Sequence, residues 1–159
     1  MPNEETLMQK VITIDQLEKY LTGEVDLEIG GYVSRAQDVI DLKTYDNIRE
    51  GLRLDYTFDG GFSPFPEGGN EYAIIRFKTD TVIEIPRTKE FNGNEKIWSN
   101  EYGRQPFTGN GFTKSNDTII PEFILSDKKA PIEAEFYKII DGELNLVATY
   151  SDGEFILIK

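Results

Sequence analysis

Two Asp-Gly pairs near the end of the chain, Asp141-Gly142 and Asp152-Gly153, separate three runs of residues with strand-forming composition. The runs are AEFYKII, LNLVATY and EFILIK. A tight hairpin turn of the favoured type requires positive φ at its central residues, and Asp-Gly between two such runs is a strong indication of it. The sequence therefore predicts a three-stranded antiparallel meander in this part of the chain.

The N-terminal half mixes helical and strand patterns. Thr13 and Gln16 have the spacing of a capping box, apolar positions one turn apart follow, and Gly23 is placed to end a short helix. Residues 25–33 then predict a strand with a bulge at its glycine pair. A second capping-box spacing, Ser34 with Gln37, begins a helical segment. Thr44 starts a second helical stretch, and we expect the helical region to reach about Tyr56.

The middle of the chain predicts a strand and a loop. Residues 71–80 form the clearest strand, with apolar side chains on both faces, and TVIEIP is predicted as its short partner. The glycine- and proline-rich residues 57–70 predict a long loop. Because Phe58, Phe62 and Phe65 are costly to expose, we expect this loop to act as a mobile lid or a docking surface.

These elements predict an α+β fold. Short N-terminal helices precede a split or strongly curved, mostly antiparallel β-sheet of about six to eight strands. Residues 1–10 show no periodicity and are expected to be a flexible leader, and residues 11–159 are expected to form a single domain of catalytic type.

The composition excludes several kinds of chemistry. The chain has 159 residues, a formal net charge of -12, no histidine and no cysteine. Without cysteine, the chain has neither disulfides nor thiolate nucleophiles. Without histidine, it lacks the base of serine-histidine hydrolases and the usual ligand of many metal centres. The negative charge argues against nucleic acid as a partner, and the absence of a long apolar run argues against a membrane segment. A basic protein is a more plausible partner.

A glycine-rich stretch at residues 106–125, PFTGNGFTKSNDTIIPEFIL, is the candidate ligand site. Its glycines let a ligand approach the backbone closely. The hydroxyl, amide and aromatic side chains around them supply hydrogen bonds and flat apolar surfaces: Phe107, Thr108, Asn110, Phe112 and Thr113. The sequence therefore predicts a cradle for a small ligand.

The cradle leads into a predicted strand at residues 118–125, where alternation places Glu122 on one face with Ile120 and Ile124. A carboxylate between two isoleucines is costly to desolvate unless it is paired or its site needs it. The alternative is an edge strand, favoured by Pro121, in which Glu122 points into water. The sequence is compatible with both interpretations.

Three stretches carry a resemblance to a known family: Gly31 to Ser34 (GYVS), the strand leading from Tyr72 to Pro86, and the loop and strand from Pro106 to Glu122. Together they resemble the ADP-ribosyltransferase-like toxin domains, and within these the NAD-glycohydrolase toxins of the tuberculosis-necrotizing-toxin type. The resemblance covers about half the chain by pattern. It implies a split β-sheet domain belonging to a larger bacterial polymorphic toxin that is delivered to target cells, acts in their cytoplasm and is neutralised by a cognate immunity protein.

The resemblance also implies NAD as substrate, no metal, and roles for particular residues. Glu122 occupies the place of the glutamate that polarises the nicotinamide ribose, Ser34 could match a serine on an inner strand, and Arg35 is the nearest phosphate-gripping arginine. Two further arginines, Arg53 and Arg76, are secondary candidates for this role. Three aromatic residues could stack on nicotinamide or adenine: Tyr32, Phe107 and Phe112. Ile120 stands where the arginine-directed transferases have a second Glu or Gln, which favours hydrolysis of NAD.

Each of these assignments has a structural alternative. Ser34 could be only a helix N-cap, the arginines could be solvated surface residues, and the two cradle phenylalanines could be ordinary core. The whole chain has an alternative too, because small size and strong negative charge also suit an acidic, non-catalytic immunity or inhibitor protein that covers a basic partner.

Overall fold

The structure is a computed structural model that describes residues 2–52, 54, 63–84, 112–114 and 119–158. Its elements, in chain order, are β1 (Met8–Ile12), α1 (Ile14–Thr22), β2 (Ile29–Arg35), α2 (Ala36–Val39), α3 (Tyr45–Gly51), β3 (Glu71–Lys78), β4 (Ile83–Glu84), β5 (Phe112–Lys114), β6 (Ile119–Pro121), β7 (Phe123–Lys129), β8 (Glu133–Ile140), β9 (Glu143–Ser151) and β10 (Glu154–Leu157).

Strands dominate the described part of the chain. An 8-stranded sheet has the order β10-β9-β8-β3-β1-β2-β7-β4, every neighbouring pair in it is antiparallel, and β5 and β6 pair separately as a 2-stranded sheet. The predicted α+β class with a mostly antiparallel sheet is confirmed at this coarse level.

The first strand lies in the middle of the sheet. β1 pairs with β3 along its whole length, from Met8 opposite Phe77 to Ile12 opposite Ala73, and Met8 is 0% exposed. The expectation of a loose leader over residues 1–10 is therefore wrong for Met8, Gln9 and Lys10. Apolar residues at Met8 and Ile12 drive this segment into the core.

The seam between β1 and β2 is short. Their ladder consists of Met8 opposite Arg35 and Gln9 opposite Ser34, whereas Lys10, Val11 and Ile12 pair only with β3 in the described register. The two strands therefore separate after two residue pairs. We call this point of separation the seam.

Helix caps follow the sequence prediction in two places and depart from it in one. Thr13 caps α1 by accepting from the Gln16 backbone N–H, Gly23 ends it at φ 78, and Thr44 caps α3 in the same way. The Ser34–Gln37 capping box is wrong, because Ser34 continues β2 and Arg35 is the N-cap of α2 without a side-chain bond. The helical segment also ends at Gly51, short of Tyr56, and is divided into α2 and α3.

The sheet separates two apolar cores, and β3 contributes to both, as its sequence predicts. Ala73, Ile75 and Phe77 pack beneath α1, while Tyr72 and Ile74 pack on the opposite face against α3. Phe65 joins that second cluster at 4% exposure, so this part of the predicted loop is scaffold, while Phe58 and Phe62 lie outside the described residues. β4 was expected beside β3 but pairs with β7.

The C-terminal meander is confirmed. β8, β9 and β10 are joined by turns in which Asp141 and Gly142 have φ 52 and 82, and Asp152 and Gly153 have φ 52 and 79. Positive φ at both central positions is the geometry for which Asp-Gly is selected.

Candidate functional site

Glu122 lies at a break between two strands. β6 ends at Pro121 and pairs with β5, and β7 begins at Phe123 and pairs with β2 and β4. The prediction of one continuous strand is therefore wrong at this residue. The edge-strand alternative is also wrong, because β7 has a neighbour on each side and Glu122 is only 5% exposed.

A row of polar residues crosses the sheet toward Glu122. The ladder between β2 and β7 ends at the pair Val33–Phe123, and the next residues along the two chains are Ser34 and Glu122. Ser34 pairs with Gln9 on β1, and Gln9 pairs in turn with Arg76 on β3. The Arg76 Nε donates a hydrogen bond to Gln9 Oε1 at 3.1 Å. Directly opposed residues share one face of a sheet. The row therefore places the buried Gln9 and Ser34 on the face that carries α3, and the buried Glu122 follows at the end of the row, beside Phe123.

Lys10 is a functional candidate that the sequence reasoning missed. It lies at the seam, where its Nζ donates to the Tyr32 carbonyl oxygen at 3.2 Å. The pKa of Lys10 is lowered from 10.5 to about 8. Burial has the largest effect and lowers the pKa, the Glu122 carboxylate raises it, and the charge of Lys128 lowers it. Burial first, and then the Glu122 charge, raise the pKa of Tyr32. Lys10, Tyr32 and Glu122 therefore form one electrostatically coupled group.

An open cleft lies beside Lys10 on the α1 face of the sheet. Its volume is about 470 Å³, and Gln16, Tyr20, Gly31 and Leu125 are among its lining residues. Gly31 has φ +74 at the bulge of β2. Because glycine adopts this conformation without strain, the bulge keeps the cleft free of a side chain at that point. The volume is within the range of small-ligand sites.

The predicted arginines have intramolecular partners. Arg35 donates from Nε to Asp38 Oδ2 at 2.7 Å and lies 5.8 Å from the centre of the Phe123 ring. Arg76 lies 5.1 Å from the centre of the Tyr137 ring, in addition to its bond with Gln9. A ligand phosphate would compete with these contacts. Neither arginine lines the cleft beside Lys10, where the basic residues are Lys10 and Lys128.

Thr113 connects the end of the cradle to α3. Its Oγ1 donates to the Gly51 carbonyl at 2.8 Å, and the residue is 2% exposed. This bond satisfies a carbonyl at the helix C-terminus, so Thr113 has a structural role and holds β5 against the C-terminal end of α3. Five other predictions cannot be compared with the structure: Arg53, Phe107, Thr108 and Asn110 lie outside the described residues, as does the side chain of Phe112.

If Glu122 is functional, it is expected from the sequence to lie on the inner face of a cleft formed by the cradle strand and the strand at residues 72–80, and this expectation is wrong. β7 is separated from β3 by β2 and β1, and Glu122 faces the Ser34 end of β2 instead. Tyr32, Ser34 and Glu122 are brought together, and Arg35 lies one residue beyond Ser34 on the neighbouring position of β2. Arg76 is two strands away and reaches this group through Gln9.

The chain was compared with protein-family models, curated proteins and solved structures. No significant match was found in any of the three comparisons. In the described part of the chain, no helix combines the length and apolar character needed to cross a bilayer.

The charge of Lys10 should oppose folding at neutral pH. Because the folded-state pKa of about 8 is below the unfolded value of 10.5, the cost is complete below pH 8 and disappears as the pH rises toward 10.5. The whole difference between the two pKa values would correspond to a larger gain in stability when the charge is removed. Since Lys10 is only partly buried, solvent screening reduces this gain, and we expect Lys10→Met to stabilise the fold at pH 7 by about 1 to 2 kcal/mol. Urea unfolding at several pH values measures this gain.

The matched control for this prediction is Lys43→Met, because Lys43 is exposed. It should change stability little at any pH. A Lys10→Met protein that is less stable than wild type at pH 7, or a gain that persists unchanged at pH 10.5, would show that the amine is not held in a desolvated position.

Proposed function

We propose that the chain is a NAD-cleaving domain, either a NAD glycohydrolase or an ADP-ribosyltransferase, and that Glu122 stabilises the ribosyl cation. The observation that carries the proposal is the buried carboxylate at the β6–β7 break, one residue beyond the Val33–Phe123 pair that ends the ladder beside the buried Ser34. A carboxylate withdrawn from water interacts strongly with positive charge that develops beside it.

The reaction suits this arrangement. Cleavage of the bond between nicotinamide and ribose passes through an oxocarbenium-like state, as glycoside cleavage does. Glu122 would hold the ribose 2′-hydroxyl and stabilise the positive charge, and Ser34 would fix the orientation of the sugar beside it. Tyr32 lies on β2 two residues before Ser34 and is 41% exposed. It therefore offers an aromatic surface for nicotinamide or adenine. The mechanism we propose uses no metal.

The finer fold assignment belongs to the same proposal. The ADP-ribosyltransferase-like domains have a split sheet, and the short seam between β1 and β2 supports a comparable division. By the same resemblance we propose that the domain belongs to a bacterial toxin that is delivered into target cells, acts in their cytoplasm and binds a cognate immunity protein.

The direct test is NAD turnover by the purified protein. We expect nicotinamide release and consumption of an etheno-NAD analogue in a buffer containing a metal chelator. Labelled NAD incubated with bacterial lysate distinguishes the two activities, because a transferase labels macromolecules and a glycohydrolase releases free ADP-ribose. Absence of both turnover and transfer would contradict the proposal.

A second candidate function, an acidic inhibitor or immunity protein, is favoured by the edge of the sheet. β10 is an outer strand, its Ile156 and Leu157 are 60% and 59% exposed, and the following Ile158 is 45% exposed. The meander that ends in β10 carries several exposed acidic residues: Glu133, Glu135, Asp141, Glu143, Asp152 and Glu154. An unprotected apolar edge strand accepts another strand readily, and the acidic surroundings favour a basic one.

This candidate predicts binding of a basic strand at β10. A fluorescent peptide of alternating valine and lysine should bind with salt-dependent affinity, and Ile156→Lys should weaken binding at least about tenfold through charge repulsion. Fluorescence anisotropy measures both. The matched control is Val82→Lys, a residue 65% exposed on another part of the surface. Equal binding by wild type and both variants would contradict docking at the edge, as would sedimentation showing that β10 is covered by a second copy of the chain.

A further inference from the structure

The geometry at the seam assigns Lys10 a role separate from NAD cleavage. We propose that the cleft between α1, β1 and β2 binds small aldehydes or ketones, and that the Lys10 amine condenses with their carbonyl carbon. This proposal does not depend on the activity of Glu122.

The position of Lys10 provides the first argument. β1 and β2 have already separated where Lys10 stands, so its side chain is not enclosed by a second paired strand. Its Nζ is held by the Tyr32 carbonyl at 3.2 Å and lines the cleft. A Cβ built on Gly31 would lie 3.4 Å from that Nζ, so a side chain at this position would contact the amine. The glycine therefore leaves access to the nitrogen.

The cleft provides the second argument. Its volume of about 470 Å³ exceeds that of a small carbonyl compound, and Ile12, Tyr20 and Leu125 give it apolar surface. Gln16 supplies a neutral amide that can bind a carbonyl or hydroxyl oxygen. The lining of the cleft is mixed, with polar and charged side chains beside these apolar ones, and it includes a second lysine, Lys128. A lysine that is partly desolvated and has another cationic group nearby is in an environment that favours its action as a nucleophile.

The protonation state of Lys10 supports this reactivity. Among the described residues, the charged groups around the amine are Glu122, Lys128, Asp127 and Glu28, and α1 contributes only the neutral Gln16 and Tyr20. With a pKa of about 8, roughly one quarter of Lys10 is neutral at pH 7.5, compared with about one in a thousand for an amine at 10.5. The neutral amine is the reactive form.

The reaction requires no co-reactant. The nitrogen lone pair attacks the carbonyl carbon, the C=O π electrons move to oxygen, and one amine proton is transferred through solvent to that oxygen to give a carbinolamine. Loss of the hydroxyl and the remaining amine proton as water forms the C=N bond of an imine. No oxidation or reduction takes place in this step.

Benzaldehyde is a suitable probe, with cyanoborohydride added to convert the imine into a stable benzylamine. The full chain is treated at pH 7.5 for limited times, and mass spectrometry of its peptides gives the initial rate at each lysine. We expect Lys10 to be modified at least about tenfold faster than the exposed Lys43, a conservative expectation from the larger neutral fraction. Lys128 lines the same cleft but is exposed, so its rate shows how fast a lysine reacts there without the desolvation of Lys10.

The dependence on aldehyde concentration tests binding. The rate at Lys10 should approach a maximum as benzaldehyde is raised, whereas the rate at Lys43 should rise linearly. Glu122→Gln should increase the Lys10 rate at pH 7.5, because removal of the negative charge lowers the pKa of the amine further. Equal rates at Lys10 and Lys43 would overturn the proposal, and a linear rate at Lys10 would overturn the binding site. Neither outcome depends on NAD cleavage.

Discussion

Glu122→Gln is expected to reduce NAD cleavage by about two to three powers of ten, because the neutral amide cannot stabilise a developing ribosyl cation as a carboxylate does. The side chain is 5% exposed, so little water is present to screen that charge. Since glutamine has nearly the same shape, nicotinamide release should fall while the overall fold is kept. Initial rates with etheno-NAD, measured beside urea unfolding curves, check both expectations.

The matched control is Glu84→Gln. Glu84 lies on the adjacent strand β4, opposite Ile124, and is exposed. Its removal changes the net charge by the same amount and should leave the rate within about twofold, as expected of a solvated surface charge. Equal loss of activity in the two variants would mean that net charge, and not the buried carboxylate, controls the reaction. An active Glu122→Gln protein would remove Glu122 from the proposed mechanism.

Met8→Ala is expected to destabilise the fold by about 2 to 4 kcal/mol, because it removes a side chain that is 0% exposed from the core beneath α1. β1 lies between β3 and β2, so the cavity would open in the middle of the sheet. Equilibrium urea unfolding gives the change in the free energy of unfolding.

Leu7→Ala is the control for Met8→Ala, because Leu7 is the preceding residue and is 40% exposed. It should cost less than about 1 kcal/mol, as is usual for exposed positions. Similar, small losses for both variants would restore the interpretation of this segment as a leader. A large loss at Leu7 would show that the strand begins earlier than Met8.

The sequence predicts those parts of the fold that local chemistry determines. The two Asp-Gly turns, the caps at Thr13 and Thr44 and the two faces of β3 all depend on residues a few positions apart. Strand pairing between distant segments could not be predicted in this way. β4 follows β3 closely in the chain yet pairs with β7, because that pairing buries Ile83 against the core that contains Phe123 and Leu125.

The candidate site was predicted in part. Alternation along residues 118–125 indicated that Glu122 is an unusual carboxylate, and its burial agrees with that indication. The break in the strand could not be anticipated, since it depends on β6 pairing with β5 in a separate sheet. Lys10 was missed because five residues, MQKVI, are too few to distinguish a central strand from an irregular segment. The available signal was the lysine between the apolar Met8 and Ile12.

The central position of β1 has a consequence for the order of folding. β8, β9 and β10 are consecutive and joined by tight turns, so they can form hairpins on the microsecond scale expected of local contacts. β1 is synthesised before β2 to β10, but Met8 can pair with Phe77 only after Phe77 has been made. Until then its apolar residues stay exposed to the solvent and to other nascent chains. The strand that joins β3 to β2 in the sheet is therefore synthesised before either of its neighbours.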